Sequence, residues 1–435
     1  MSSFRGLATS LAACAVLAGC ASAQYPINAP LDPAASGGYR FTAVHDDDNS
    51  QSLFIGLSFS GGGMRAAALG FGVLEGLRDE RIVWEGREKR MLDEVDVLYA
   101  VSGGSMVASY YALNHDRAFE RFEADFLSQD FQSALIGRVL SPANWARLAS
   151  PRFGRGDLLQ ELLDDRLFKG ATYGTLMAAH RPPFLIVSAS DMTAGERFEF
   201  DQDSFDRLCS DLASVPLARA VAASSAVPIV MAPITLWSYA DHCLATLPDN
   251  VVPESRSFVH LLDGGLADNV SARGAIDYIT GNGGLFKGVR ATGFRGVRHA
   301  VFIVVNAESA VRSPADDSAN VPGVLRTSLA LADVPINRFS QESLKQLREQ
   351  VVRWEREVRA APAAVRGDLF AADVRFHFLE VSLQGAADPV LRERLLAIPT
   401  TLGLPADDVA ALRAYAKQAL RDSPDYRRLL DALRR

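Results

Sequence analysis

Two stretches of the chain each read as a strand that runs into a glycine-rich turn and then a helix. In the first, Leu53–Phe59 leads into Ser60-Gly61-Gly62-Gly63-Met64-Arg65 and an alanine-rich segment. In the second, Val95–Val101 leads into Ser102-Gly103-Gly104-Ser105. Glycine permits positive φ and close backbone approach, so such turns present amide N–H groups at a helix N-terminus, where developing negative charge is favoured. A donor-rich loop together with a serine on a sharp strand-to-helix turn is the minimum apparatus for serine-dependent acyl transfer to water. Ala100-Val101-Ser102-Gly103-Gly104 matches the nucleophile elbow G-x-S-x-G except that Ala stands for the first glycine. The elbow needs small residues two before and two after the serine because strand and helix crowd there. Ser105 is a competing hydroxyl, but Val107 stands two after it and it falls inside the helix.

A third apolar run, Phe258–Leu262, ends in Asp263-Gly264-Gly265. Alone, an Asp beside two glycines is a turn. Open parallel sheets carry their sites past the C-terminal ends of the strands, so the three turns are expected on one sheet edge, with Asp263 as the candidate base. Arg65 is read as a support for the glycine loop or for substrate charge, or as a surface ion pair. Asp268 and Asn269 read as turn and cap residues before a helix at 271–280.

The elements that must position these residues alternate. Strands are expected at 53–59, 95–101, 184–190, 257–262, 299–306 and 374–382. Helices are expected at 64–80, 104–114, 116–127, 157–166, 217–224 and 271–280, and then at 345–361, 388–397, 406–420 and 424–434. Unbroken apolar runs such as Ala300–Val305 suit parallel strands buried on both faces. The expected fold is therefore α/β, a three-layer sandwich on a mostly parallel central sheet with extra C-terminal helices. Phe119, Phe122 and Phe126 recur at helical spacing, followed by Phe131, Trp145 and Phe153. Such a stripe is ordinarily core; its functional alternative is a greasy flap over an acyl-chain pocket.

Met1–Gly19 has one basic residue, Arg5, and an apolar run too short to span a bilayer, which reads as a secretory signal. It ends in Leu17-Ala18-Gly19-Cys20, which resembles a bacterial lipobox with Cys20 as the lipidated residue. Ala at position 21 favours the outer membrane. The alternative is cleavage after Ala21-Ser22-Ala23 and a soluble periplasmic or secreted protein. Residues 20–50 read as a tether, 51–310 as the catalytic domain, and 311–435 as a mostly helical extension packed on it. Cys209 and Cys243 remain in a compartment that permits disulfides. They are either a bridge closing a loop of about 35 residues, worth roughly 3–4 kcal/mol, or two unpaired thiols. No Cys/His grouping suggests a metal, and no cofactor is expected. The 435 residues are 48% hydrophobic with a net charge of −7 and no basic run, which excludes a nucleic-acid partner.

Taken together, Ser-Gly-Gly-Gly-Met-Arg, Val-Ser-Gly-Gly-Ser and Asp-Gly-Gly-Leu-Ala-Asp-Asn resemble the patatin-like phospholipase family in its bacterial form. Leu185–Phe198 and Ala218–Pro228 are similar to the family's intervening strand-turn and Ser/Ala-Pro helix end. The resemblance runs from about Leu53 to Asp277. It implies a Ser102–Asp263 dyad, an oxyanion cradle at Gly61, Gly62 and Gly63, an acyl-enzyme, and a phospholipid or lysophospholipid substrate.

Three other readings compete. A Ser-Asp-His triad would need a histidine, but His299 starts a strand, His377 lies within one, and His260 falls on the face opposite Asp263. His115, His180 and His242 fall at helix ends or in loops. Gly61-x-Gly63-x-x-Ala66 also fits a dinucleotide-binding fingerprint, which expects an acidic residue ending a second strand; Asp79 and Glu80 are at the right distance but end the first helix. Ala100 alone favours an inactive hydrolase-like lipoprotein.

Overall fold

The computed structural model describes residues 28–32, 37–44, 49–243, 247, 251–309 and 319–434. Cys20 and the segment before it lie outside these. Strands β1 Leu53–Phe59, β2 Val97–Ala100, β3 Phe184–Asp191, β4 Arg197–Glu199, β5 Ile234–Trp237, β6 Phe258–Leu262, β7 Val297–Asn306 and β8 Phe370–Ser382 form one sheet. Its order is β8-β7-β1-β2-β3-β6-β5, with β4 paired to the outer half of β3. From β8 to β3 the neighbours are parallel; β6, β5 and β4 are antiparallel additions.

The helices that bear on the site are α1 Gly63–Asp79, α2 Gly103–Asn114, α3 Leu217–Ser224, α4 Gly274–Gly281, α5 Leu285–Thr292, α6 Val324–Ala360 and α7 Ala406–Asp422. Side chains alternate along each strand. Leu53, Ile55, Leu57 and Phe59 of β1 are fully buried in one core with residues of α1, α2, α3 and α7. Ala300, Phe302 and Val304 of β7 join a second core with Ile276, Leu285 and Trp354 from α4, α5 and α6. The result is a sheet between two helical layers. Helix α1 lies close against α7 because Gly72 leaves room there: a Cβ on it would sit 2.6 Å from the Arg413 carbonyl oxygen.

The chain enters the domain earlier than its composition suggests. Ala29–Pro30 pairs antiparallel with Ser210–Asp211, and the buried Asn28 amide bonds Ser210 Oγ at 2.7 Å and the Trp237 carbonyl at 2.8 Å. Tyr39 is fully buried and stacks on Phe184. The described stretches of the expected tether, 28–32 and 37–44, thus pair and pack on the domain, with Tyr39 and Phe41 against apolar rings. Cys209 and Cys243 form a disulfide. Phe122, Phe126, Phe131 and Phe153 are core, while Trp145 is 60% exposed.

Candidate active site

Strand β2 stops at Ala100 and α2 starts at Gly103, so Ser102 takes the corner with φ 50° and ψ −123°. An L-residue rarely holds that backbone, and an elbow that does so aims its side chain out of the turn. Packing enforces it. A Cβ on Gly103 would lie 2.0 Å from the Gly63 carbonyl oxygen, and one on Gly104 would lie 2.6 Å from that of Ser60. The serine corner therefore rests directly on the Ser60–Gly63 loop. Ala100 is fully buried in the same corner, so its methyl group is accommodated without loss of the turn.

Strand β3 continues past Val187, the residue opposite Ala100, through Asp191. Strand β6 pairs with this overhang in the antiparallel sense, Leu261 with Asp191 and Leu262 with Ser190. It runs back toward the sheet centre and delivers Asp263 beside the serine corner. The expectation of three strand ends on one parallel edge is corrected in this respect: Asp263 arrives from the opposite direction. Ser102 Oγ donates a hydrogen bond to Asp263 Oδ2 at 2.9 Å, and the Gly265 amide donates to Oδ1 at 2.8 Å. Both residues are nearly closed to solvent, at 9% and 5% exposure. Burial pushes the Asp263 carboxyl up to about 6, against the pull of the Gly265 amide and the Ser102 hydroxyl.

The helix end after α3 ties the two turns together. Ser224 Oγ accepts from the Ser102 amide at 2.7 Å and donates to the Ser188 carbonyl at 2.6 Å. The Ser224 carbonyl accepts from the Gly264 amide, and the Ala226 carbonyl accepts from the Asp263 amide. In the sequence the Ser/Ala-Pro segment stands only as a family likeness, and nothing in its motifs singles out Ser224. The signal lies in its place, since a serine buried at a helix end must bond backbone groups.

The glycine loop corrects one expectation. The Gly61 amide donates to the Asn269 carbonyl at 2.9 Å, so Gly61 is a structural tie rather than a free donor. Gly62 and Gly63 hold φ of 134° and 58°, values that need glycine. Among the described residues neither of their amides has a backbone partner, and the same holds for Gly103, the residue after the serine. These three amides in the loop and the corner are the ones left without a backbone carbonyl. Arg65 is buried, donating to the carbonyls of Ala307 and Ile398, and burial lowers it to about 10. It braces the loop and, among the described residues, forms no ion pair. The Thr401 carbonyl accepts the Met64 amide at 2.8 Å, so chain beyond residue 300 forms one wall of the loop.

The competing groups sit elsewhere in bonding terms. Ser105 is fully buried in α2 and donates to the Ser102 carbonyl at 2.6 Å. His299 and His377 bond each other at 3.0 Å on adjacent strands, and burial lowers both to about 4. His299 pairs with Leu53 at the far end of β1, roughly 20 Å from Phe59 at the rise of an extended strand. His260 meets Thr235, and His180 meets the Ala43 carbonyl. Among the described residues no histidine bonds Ser102 or Asp263. Asp79 closes α1 and pairs with Lys417, so it ends no second strand. Asp268 accepts from the Arg273 amide at 2.8 Å, as a cap does. No group of three or more His, Cys, Asp or Glu among the described residues could hold a metal ion.

The sequence model of one family, Patatin-like phospholipase, matches residues 57–276, just over half of the chain and the whole of the Ser102–Asp263 constellation. The chain belongs to the patatin-like phospholipase family. No curated protein matches it. Solved structures similar to this patatin-like chain include human GIVD cytosolic phospholipase A2, at 13% identity and a TM-score of 0.45, over 90% of this chain and 62% of that one. VipD from Legionella pneumophila is similar at 14% identity and a TM-score of 0.35, over 88% and 67%. The chain thus spans less than two thirds of the human enzyme's length.

Proposed function

We propose that the protein is a serine lipid acyl hydrolase that cleaves fatty-acyl esters of phospholipids or lysophospholipids through a Ser102–Asp263 dyad. Ser102 Oγ attacks the ester carbonyl while Asp263 Oδ2 takes its proton. The amides of Gly62, Gly63 and Gly103 stabilise the oxyanion of the tetrahedral intermediate. Collapse expels the alcohol, which leaves with the proton from Asp263, and an acyl-Ser102 ester remains. Water attacks that ester, Asp263 accepts a proton again, and the fatty acid departs as Ser102 regains its hydrogen. The observation that carries this reading is the 2.9 Å bond from Ser102 Oγ to a buried carboxylate. A carboxyl near 6 is a stronger base than an ordinary one, which suits proton abstraction near neutral pH. Family membership supports the lipid ester as substrate.

The Leu17–Cys20 segment belongs to the same reading: a lipid on Cys20 holds the mature chain on the cell envelope, beside its substrate. The test is release of fatty acid from phosphatidylcholine and lysophosphatidylcholine. Wild-type protein releases it, Ser102→Ala falls by at least about 10³-fold, and each single His→Ala variant stays within about tenfold of wild type. A wild type inert on both lipids, or a histidine variant as dead as Ser102→Ala, would overturn the proposal.

A further inference from the structure

On the sheet face turned away from α1 and α2, a cavity of about 290 Å³ lies between the strands and the α4–α5 layer. Its walls are aromatic, with Phe54 of β1, Tyr99 of β2, Phe184 of β3, Tyr278 of α4, and Tyr39 and Phe41 from the entering segment. Ser102, Asp263 and the Gly61–Gly63 loop do not line it, so it is separate from the ester site. Close-packed interiors keep few voids larger than a water molecule. This one approaches the roughly 300 Å³ at which small-molecule sites begin.

One end of the chamber is acidic. Glu199, Asp201 and Asp203 line it, with Asp206 and Asp277 behind them, and Arg40 and Arg197 oppose the five. Arg40 is spent on Asp203 and Asp206. Arg197 lies 2.8 Å from Asp277 and 2.9 Å from Glu199 Oε1, yet that buried oxygen accepts no well-formed hydrogen bond. Asp201 accepts from the Ser204 amide and is held by no arginine among the described residues, and burial together with Glu199 and Asp203 raises its carboxyl. Tyr99 supplies a second, independent sign. It is 8% exposed and lines the cavity, and among the described residues its hydroxyl has no hydrogen-bond partner. Its electrostatic neighbours are Glu199, Arg197, Tyr278 and Asp201, so the unmet hydroxyl stands at the acidic end.

We propose that this chamber binds a single-chain amphiphile with an ammonium head, the chain lying among Phe54, Phe184 and Phe302 and the head meeting Glu199, Asp201 and the Tyr99 hydroxyl. Five acidic side chains face two arginines at this end, so an anionic head would be repelled and a neutral one would leave the acidic excess unbalanced. An ammonium head offsets that charge, donates to Tyr99 Oη and is attracted to the aromatic faces beside it. The inference does not depend on ester hydrolysis.

Isothermal titration of the full chain with decylammonium, decanoate and decanol, each below its micellar concentration, tests it. Decylammonium is expected to bind one to one, at least about tenfold tighter than decanoate or decanol. Asp201→Asn and Tyr99→Phe each weaken it several-fold, and Val289→Trp, which fills the cavity from α5, abolishes it while far-UV circular dichroism stays unchanged. Absence of decylammonium binding to wild type overturns the proposal, as does decanoate binding equally well. So does decylammonium binding that survives both Asp201→Asn and Tyr99→Phe, two variants that add no bulk and keep the proposal testable should Val289→Trp fail to fold.

Discussion

Asp263 carries a conflict between stability and chemistry that can be measured at a single residue. Its native carboxyl stands at about 6 against an ordinary 3.8, so the fold favours the protonated form. The stability this confers is whole below about pH 4 and is lost as pH rises through 6. Two pH units correspond to about 3 kcal/mol. Proton abstraction from Ser102 needs the opposite, ionised form. The expectation is a kcat/KM that climbs with pH through a value near 6 to a plateau. Asp263→Asn removes the buried charge: by urea denaturation it gains about 1–3 kcal/mol at pH 8 and nothing at pH 4, while hydrolysis is lost. An active Asp263→Asn variant, or one less stable than wild type at pH 8, contradicts this assignment.

Among the elements, the α3 end acts as a clamp. Ser224 holds the Ser102 amide and the Ser188 carbonyl with one hydroxyl, and its own carbonyl holds Gly264. Ser224→Ala leaves a buried amide and carbonyl unpaired, which costs about 1–3 kcal/mol of stability. Because it loosens the corner without touching substrate, kcat is expected to fall by about tenfold or more with little change in KM. Unaltered kcat in a folded Ser224→Ala variant would remove Ser224 from the positioning set. The elements themselves were unequally legible. The unbroken apolar runs of β1, β3 and β7 mark buried strands, and the Ser102 turn follows from glycines that packing requires. Strand direction is different. The residues of Phe258–Leu262 encode a strand and its faces, but its antiparallel pairing is decided by the overhang of β3, which no local pattern states. Ile234–Trp237 is too short and too close to Pro233 to stand out. Helix α6 begins at Val324, not near Lys345. The tie of the Gly61 amide is equally hidden from local pattern: its partner, Asn269, lies more than two hundred residues away.

Across the whole molecule, the site is larger than the stretch that carries the family motifs. The carbonyls of Ala307, Ile398 and Thr401 fasten Arg65 and Met64, so chain beyond residue 276 braces the glycine loop. That explains why the last third, which bears no motif, is built into the same core through Leu379, Leu395 and Leu412. At the other end, no described helix is long and apolar enough to cross a membrane, so under the proposal attachment would rest on the lipid at Cys20. Cys20→Ser is expected to move the protein from the membrane fraction to the soluble fraction with its intrinsic esterase rate kept; membrane retention would contradict the anchor. Whether the Ser102 hydroxyl is the nucleophile is decided by treating the protein with a fluorophosphonate and mapping the adduct by peptide mass spectrometry. One adduct is expected, on Ser102, absent from Ser102→Ala and retained in Ser105→Ala; an adduct on Ser105, or one that persists in Ser102→Ala, would rule Ser102 out as the nucleophile.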